Sequence, residues 1–454
     1  GSLKRKAVKS KKAAVSVAFS KISPYLNTLI SNLPFKLTSS QEEVTQEILN
    51  GLSNPFPMNR LLQGEVGSGK TIVAVLSSLA VVKSGKSSVV MAPTEALAYQ
   101  HYMTFKKLLE PLSVTVTLVT GSSGKPELGR DVIIGTHALL YSKSLLKNGG
   151  LIVIDEQHKF GVAQRAKIIE LLEVDKRIPH LLTMTATPIP RTLALAYLGD
   201  LDISILKESP VGRRGVKTWY VPESKRISAY HWVKNQISSL RTQVFIICPL
   251  IEESEVESLK SVKSAKAEFG KIRDIFNQYQ VGLIHGKLKS SEKQSVLNDF
   301  RDNKIQILVT TPVVEVGIDI PNLTIIIIEG SERFGLASLH QLRGRAGRSD
   351  KKSYCLLFCE NTSPNAIRRL RSLEKIDSGL KLAELDLRRR GPGELFGLLQ
   401  SGLEKLKIAD LSDFQLIENA TRSSRTLVED EKYHKDLVKF LERTDEDWSK
   451  IDLN

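Results

Sequence analysis

Residues 61–71 read LLQGEVGSGKT and combine glycine, lysine and hydroxyl side chains at a spacing that suits phosphate chemistry. Gly64, Gly69, Lys70 and Thr71 match the phosphate-loop pattern G-x-x-x-x-G-K-[ST], between a strand-like and a helix-like segment. Glycine lets backbone N–H groups approach a triphosphate closely, lysine adds a positive charge for the β- and γ-phosphates, and the threonine hydroxyl can bind Mg²⁺. The stretch predicts a nucleoside triphosphate site formed by Gly64, Gly67, Ser68, Gly69, Lys70 and Thr71.

An acidic pair, Asp155 and Glu156, directly follows the apolar run LIVI. In a sheet that also carries a phosphate loop, one carboxylate at a strand end can hold Mg²⁺ and its neighbour can activate water. We therefore expect Asp155 to hold Mg²⁺ together with Thr71, directly or through water, and Glu156 to orient and deprotonate the attacking water. A DE pair alone is common on protein surfaces, so this interpretation depends on its position after a strand of the same domain.

The composition narrows the class of protein. The chain has 454 residues, which predicts two or three domains, and its formal net charge is +15. A surplus of this size fits binding to nucleic acid, although a merely solubilising surface would give the same value. No apolar run approaches the roughly 20 residues of a membrane span. The three cysteines are too few for a disulfide framework and lack zinc-site spacing. We expect no membrane contact, no structural metal and a cytoplasmic location.

Short apolar runs alternate with helix-like segments from residue 61 to about residue 206, and a second such series extends from residue 243 to residue 359. This alternation predicts α/β domains with mostly parallel sheets, whose strands are covered on both faces. Ligands bind at the carboxyl ends of such strands, where GEVGSGKT, APT, GTH, DEQH and TAT all fall. The predicted strands are 88–92, 114–120, 131–135, 151–155, 181–185, 243–249, 281–286, 305–311, 323–330 and 354–359.

Four motifs occur in an order that resembles the superfamily 2 helicases. DEQH at 155–158 resembles the DExH box, and TATP at 185–188, TTPVVEVGIDIP at 310–321 and QLRGRAGR at 341–348 follow it. Longer stretches resemble the bacterial RecG branch-migration helicases, and the similar motor of transcription-repair coupling factors shares TATPIPRTL. These stretches are DEQHKFGVAQR, TATPIPRTLA, PLIEESE, ERFGLASLHQLRGRAGR and RGPGELFG. The resemblance covers nearly the whole chain from about residue 30.

The resemblance implies an α/β fold of two tandem RecA-like parallel-sheet helicase domains followed by a helical translocation region. It also implies an ATP-dependent duplex DNA translocase or helicase that uses ATP and Mg²⁺ and remodels replication forks and recombination junctions in DNA repair. A monomer in the bacterial cytoplasm is expected to bind duplex or branched DNA without sequence preference. The predicted boundaries are 1–33 (basic helical lead-in), 34–206 (first RecA-like domain, ATP-binding), 207–217 (linker), 218–362 (second RecA-like domain), 363–405 (translocation coupling) and 406–454 (C-terminal helices).

By resemblance, residues of the matched motifs receive roles at the ATP site, in coupling and at the DNA. The expected catalytic residues are Glu156, Gln341, Arg345 and Arg348. The further ATP-binding residues are Phe35, Gln41, Gly317 and Asp319. The coupling residues are His158, Thr185, Thr187, Arg389, Arg390 and Gln400. The DNA contacts are Thr94, Thr136, His137, Arg191 and Thr310.

Other roles stay open for several of these side chains. Phe35 is expected to stack on adenine while Gln41 reads its edge, but core packing explains a phenylalanine there equally well. A structural role is as common as DNA contact for a loop-end histidine such as His137. The hydroxyls of Thr185 and Thr187 serve either coupling or only the local turn.

The chain also departs from the RecG pattern. RecG proteins carry an N-terminal wedge domain of oligonucleotide-binding type that splits the junction, and only the helical lead-in at residues 3–33 stands before the motor here. We therefore expect a motor fragment or a relative without a wedge, and the opening Gly1-Ser2 resembles an expression scar. Leu398-Leu399 replaces the usual Thr-Arg pair, and Lys159 replaces an arginine that could make bidentate contacts.

Two other functions remain compatible with the sequence. The first is an RNA-directed DExH helicase, against which the region after residue 362 argues. Comparing RNA with duplex DNA as stimulators of ATP hydrolysis would decide between them. The second is a degenerate motor that serves only as a DNA-binding scaffold. The intact set Lys70, Asp155, Glu156, Arg345 and Arg348 argues against this scaffold.

Overall fold

The structure of this chain, a computed structural model, contains two compact units. One holds most of the described residues from 15 to 208, and the other holds most of those from 215 to 386. The structure describes residues 12–13, 15–121, 131–141, 148–156, 177–187, 201–208, 215–249, 266–312, 320, 322–347, 351–360 and 363–390, and isolated residues between 416 and 432. Among these residues, no helix is both long and apolar enough to span a bilayer.

The first unit is built on parallel strands. They are β1 (Lys12–Ala13), β2 (Asn59–Gly64), β3 (Ser87–Met91), β4 (Val116–Val119), β5 (Val132–Gly135), β6 (Gly149–Asp155), β7 (Arg177–Ile178), β8 (His180–Thr185) and β9 (Asp202–Leu206). In the described part of the unit, seven strands form one sheet in the order β4-β5-β3-β6-β8-β2-β9, and β1 pairs with β7. All neighbouring strands run parallel, so the segments that follow β2, β3, β6 and β8 meet at one edge.

Helices cover the sheet of the first unit. They are α1 (Phe19–Ser31), α2 (Ser39–Leu52), α3 (Lys70–Val82) and α4 (Glu95–Leu109), with short 3₁₀ segments at Glu110–Leu112 and His137–Tyr141. A capping box begins α2, because the Thr38 hydroxyl accepts from the Gln41 N–H and the Gln41 side chain accepts from the Thr38 N–H. Residues 72–81 of α3 are all buried, as expected for a helix that is apolar around its circumference.

The second unit repeats this plan. Its strands are β10 (Val216–Val221), β11 (Gln243–Ile247), β12 (Val281–Ile284), β13 (Ile307–Thr310), β14 (Leu323–Ile328) and β15 (Ser353–Phe358). In the described residues they form a parallel sheet in the order β10-β15-β14-β11-β13-β12. Its helices are α5 (Arg226–Leu240), α6 (266–275), α7 (Ser290–Arg301), α8 (Leu336–Arg343), α9 (Pro364–Lys375) and α10 (Gly379–Arg390), with 3₁₀ segments at Glu223–Lys225 and Ser331–Arg333.

The isoleucine run of β14 explains why continuous apolar runs predict this sheet. Successive side chains of a strand point to opposite faces. Ile325 and Ile327 accordingly pack in the cluster around Phe276, whereas Ile326 and Ile328 pack in the cluster around Phe300. Both faces of the second sheet are therefore covered, and each contributes its own layer of core.

The predicted α/β fold with two parallel sheets is confirmed. Each predicted run contains an observed strand whose ends differ by at most two residues. The predicted strands did not include β9 or β10, and β10 begins within the segment 207–217 that we predicted as a linker. The domain boundaries remain predictions.

Candidate nucleotide-binding site

The phosphate loop connects the end of β2 to the start of α3. Gly67 and Gly69 have φ angles of +78° and +88°, which side chains other than glycine rarely adopt. A Cβ atom at Gly69 would also collide with the Gln41 amide, and one at Gly64 would collide with the Ser68 hydroxyl. Gly69 is the N-cap of α3, so the positive end of the helix dipole lies at the loop.

Polar side chains brace this loop from within. Gln41 is 2% exposed and donates from Nε2 to the Ser68 carbonyl oxygen at 2.8 Å. Lys70 Nζ donates to the Gly64 carbonyl oxygen at 2.8 Å. The Ser68 hydroxyl is buried and has no hydrogen-bond partner among the described residues. Thr71 follows in the first turn of α3 and is partly exposed.

The acidic pair lies at the carboxyl end of β6. Asp155 is 8% exposed, its Oδ2 lies 2.8 Å from His101 Nε2, and its Oδ1 accepts from the Glu156 N–H at 3.1 Å. Glu156 has a φ of +49°, so the chain turns sharply immediately after the strand. The Ala186 N–H donates to Glu156 Oε2 at 3.4 Å, which connects the acidic pair to the segment after β8.

Electrostatics keep Asp155 ionised. Burial alone would raise its pKa, but the hydrogen bond and charge of His101, the ammonium of Lys70 and the Glu156 N–H together lower the pKa below its usual value. The Lys70 charge that acts on Asp155 also shows that the phosphate loop and the acidic pair belong to one site in the first unit.

ATP and Mg²⁺ fit the residues that are present. The buried Ser68 hydroxyl lacks a partner, the two glycines leave space that a Cβ atom would fill, and the loop ends at a helix N-terminus. These are features of an anion-binding loop. An ionised Asp155 beside the Thr71 hydroxyl offers the oxygen ligands that Mg²⁺ prefers. These residues remain proposals for ligand binding.

Several predicted contacts of the first unit have local roles in this structure. Both ends of the Gln41 amide already bond to protein, so a contact with adenine would have to replace one of these bonds. Phe35 is 50% exposed, and core packing therefore does not explain it. Thr185 is 2% exposed and accepts from the Thr187 N–H at 3.0 Å, which is turn chemistry. The coupling role of this pair remains a prediction.

The predicted DNA contacts of the first unit differ in exposure. Thr94 is the N-cap of α4 and accepts from the Leu97 N–H, and His137 is exposed at the start of a 3₁₀ segment. Thr136 is only 3% exposed. In the second unit, Thr310 is 1% exposed and donates to the Thr311 carbonyl oxygen. Contact of either threonine with DNA would require its side chain to become accessible.

The motif residues of the second unit that the structure describes are Gln341 and Arg345. Gln341 lies on α8 and Arg345 directly follows it, and both are partly exposed. Arg389 and Arg390 belong to the last turn of α10, and their side chains lie outside the described residues. The remaining predicted residues that lie outside the described part are His158, Arg191, Gly317, Asp319, Arg348 and Gln400.

Sequence reasoning missed the side chains that fasten α8 to the two helices after it. Arg343 is 4% exposed and donates to the carbonyl oxygens of Leu373, Ile376 and Asp377 at 3.0, 3.1 and 2.8 Å. Asp386 on α10 accepts from the Leu336 N–H at 3.1 Å, at the positive end of α8. Because these partners are far apart in sequence, the only available signal was a second arginine within QLRGR.

Three family models match this chain. The DEAD/DEAH box helicase model matches residues 38–195, and the helicase conserved C-terminal domain matches residues 229–350. A third model, ATP-dependent DNA helicase RecG, domain 3, C-terminal, matches residues 376–451. The first two models match stretches that lie mainly in the first and second unit respectively.

Proteins named ATP-dependent DNA helicase RecG are similar over most of this chain. The protein of Aquifex aeolicus is 47% identical over 428 residues, which are 91% of this chain and 53% of that protein. The protein of Bacillus subtilis is 42% identical and that of Escherichia coli is 41% identical, and the chain covers 61% of each. The chain therefore spans about half to three fifths of the length of these curated relatives.

Solved structures agree with these similarities. The structure described as RecG bound to three-way DNA junction has 38% sequence identity and a TM-score of 0.73, with 92% of this chain and 55% of that chain covered. The yeast protein Dbp5 bound to RNA and ADP BeF3 has a TM-score of 0.59 at 19% identity and supports only the fold. The two parallel-sheet units are thus RecA-like helicase domains, and the chain belongs to the RecG family over the span that it shares with these proteins.

Proposed function

We propose that this chain is the motor of an ATP-dependent translocase or helicase that acts on duplex and branched DNA. The observation that carries the proposal is the site at the edge of the first sheet, where the phosphate loop, Lys70 and an ionised Asp155 interact. Membership of the RecG family and the junction complex of a relative support branched DNA as the substrate. Mg²⁺ as cofactor, action as a monomer and a cytoplasmic location are further parts of the proposal.

The residues of this site divide the work of hydrolysis. We propose that Lys70 exchanges its bond with the Gly64 carbonyl for the β- and γ-phosphates, and that the backbone of Gly67 to Gly69 surrounds them. Mg²⁺, when held by Thr71 and Asp155, would neutralise phosphate charge. Glu156 would accept the proton of the attacking water. Its bond to the Ala186 N–H would pass a change at the phosphates to the segment after β8.

A basic surface of the second unit supports DNA binding. His285 at the end of β12 is 7% exposed, and burial and then the charges of Lys266, Lys293 and Lys287 lower its pKa. His285 Nδ1 and the Thr311 hydroxyl are buried without a hydrogen-bond partner among the described residues. Unpaired polar atoms beneath a cluster of lysines suit the phosphate backbone of a nucleic acid, and contacts of this kind carry no sequence information.

The contacts of α8 support a coupling role for the helices after it. Arg343 and Asp386 fasten α8, which carries Gln341, to the turn between α9 and α10 and to α10 itself. A displacement of α8 would therefore be transmitted to α9 and α10. We propose that residues 363–405 convert such displacements into movement along duplex DNA.

Steady-state ATP hydrolysis with different nucleic acids tests the proposed function. We expect strong stimulation by linear duplex and three-way junction DNA, weaker stimulation by single-stranded RNA, and no turnover in the Lys70→Ala variant. An exposed lysine near the same helix, Lys83, provides the matched control as Lys83→Ala. Stimulation by RNA above that by duplex DNA would favour the RNA-directed alternative. DNA binding without any turnover in the unmodified chain would favour the scaffold.

A further inference from the structure

His101 is the buried polar residue beside the site for which neither the motifs nor the family similarity gives a role. It lies in the second turn of α4, is 4% exposed, and its ring contacts Phe105 edge-to-face. Its Nε2 lies 2.8 Å from Asp155 Oδ2. The two side chains are 5% and 11% exposed, so water competes little for this hydrogen bond.

The direction of this hydrogen bond follows from its partners. An ionised carboxylate can only accept, so the N–H of His101 donates to Asp155 Oδ2. The Glu156 N–H donates to the other oxygen, Oδ1, at 3.1 Å. Each carboxylate oxygen thus has a fixed donor, and together the two donors determine the rotation of the carboxylate about its Cβ–Cγ bond. Without His101, only the weaker backbone contact would restrain this rotation.

We propose that His101 is a positioning residue that orients the Asp155 carboxylate for Mg²⁺-nucleotide, an inference that rests on the proposed function. Groups that hydrogen-bond to a metal-binding carboxylate fix its orientation, and their loss typically lowers metal affinity or activity about 10- to 100-fold. His101 does not touch the nucleotide in this role. It acts only through Asp155.

Binding of the fluorescent nucleotide mant-ADP, titrated with Mg²⁺ at pH 8, distinguishes positioning from packing. Three variants of the full chain are compared with the unmodified chain. His101→Leu keeps the volume but removes the donor, and His101→Gln keeps a donor near the position of Nε2. His180→Gln is the matched control, because His180 is a fully buried histidine of the same unit that bonds to Val15 and Met58 instead.

We expect His101→Leu to raise the Mg²⁺ concentration for half-maximal binding about 10- to 100-fold. Nucleotide affinity in EDTA should not change, His101→Gln should recover most of the loss, and the control should respond to Mg²⁺ like the unmodified chain. If His101→Leu does not fold, His101→Asn, whose amide is too short to reach Asp155, replaces it.

Two results would overturn the assignment. In one, the Mg²⁺ dependence of His101→Leu equals that of the unmodified chain. In the other, the variant loses nucleotide affinity equally in EDTA and in Mg²⁺, which would indicate a packing role. A failure of the proposed function looks different, since the unmodified chain itself would then not bind mant-ADP.

Discussion

Glu156 is the residue that we propose as the general base, and its contacts allow a clean test. The Glu156→Gln change keeps the size of the side chain and can keep the Ala186 bond, but an amide cannot accept a proton from water. We expect nucleotide binding to persist while turnover falls about 10²- to 10⁴-fold. Single-turnover hydrolysis with bound ATP measures this, with Glu110→Gln, an exposed residue in a surface ion pair, as the control. Turnover equal to that of the unmodified chain would refute the assignment.

The residues of the site differ in how far the sequence could predict them. Gly64, Lys70 and Thr71 follow a local pattern whose chemistry is contained in a few adjacent residues. The bonds of Gln41 to the phosphate loop and of His101 to Asp155 depend on the packing of a helix against distant chain. No spacing rule indicates such partners, and a buried histidine in an apolar helix resembles an ordinary core residue.

The fastening of α8 by Arg343 predicts a large cost for a single substitution. Arg343→Met keeps most of the volume but leaves three carbonyl oxygens without their donor. A buried group without its partner costs about 1–3 kcal/mol, so the second unit should lose about 3 kcal/mol or more of its free energy of unfolding. Trp219 and Trp232 both lie in this unit, and their fluorescence in urea can follow its unfolding.

The same variant also tests coupling. Stimulation of ATP hydrolysis by duplex DNA should fall more than the basal rate, because α9 and α10 would no longer follow α8. Arg333→Met is the control, since Arg333 pairs with Glu360 at the surface and such pairs contribute about 0–1 kcal/mol. Equal stability of the two variants would contradict the proposed role of Arg343.

His180 connects β8 to two other segments and makes the stability of the first unit depend on pH. Its Nε2 donates to the Val15 carbonyl oxygen and its Nδ1 accepts from the Met58 N–H, so a second proton has no acceptor. Burial lowers the pKa of His180 from 6.5 to about 4. A lowered histidine pKa means that the unfolded state binds the proton first, so its stability contribution is complete above pH 6.5 and decreases towards pH 4.

Urea unfolding followed by far-ultraviolet circular dichroism can measure this effect. The difference in free energy of unfolding between the unmodified chain and His180→Gln should be largest near pH 7. It should shrink by about 3 kcal/mol on acidification to pH 4. A difference that stays constant between these pH values would show that His180 does not titrate in this range.

The strands illustrate which elements a sequence predicts. β6 and β14 are buried on both faces, so their apolar runs are continuous and were easily recognised. β9 and β10 lie at sheet edges, and their sequences DISIL and VKTWYV mix polar and apolar residues. A half-buried edge strand does not produce the pattern that we used, and β10 was therefore partly assigned to a linker.

The whole chain separates two activities that longer relatives combine. Its net charge of +15 and its motor domains suit ATP-driven tracking along duplex DNA. Strand separation at a junction additionally needs a rigid surface at the branch point. The RecG chain in the junction complex is covered only to 55% by this one. We therefore ask what the 454 residues can do alone.

We predict that these 454 residues show DNA-stimulated ATP hydrolysis with little preference for forks over linear duplex, and weak or absent unwinding. The lysines of the basic surface can bind any DNA backbone, and such contacts weaken steeply with salt, so all assays use one fixed salt concentration. Hydrolysis is compared on a linear duplex and on a fork of the same length, and unwinding is followed on that fork. Strong fork preference together with efficient unwinding would refute the prediction. In that case α9, α10 or the residues after them would have to hold the strands apart, and Arg343→Met should then abolish unwinding before it affects hydrolysis.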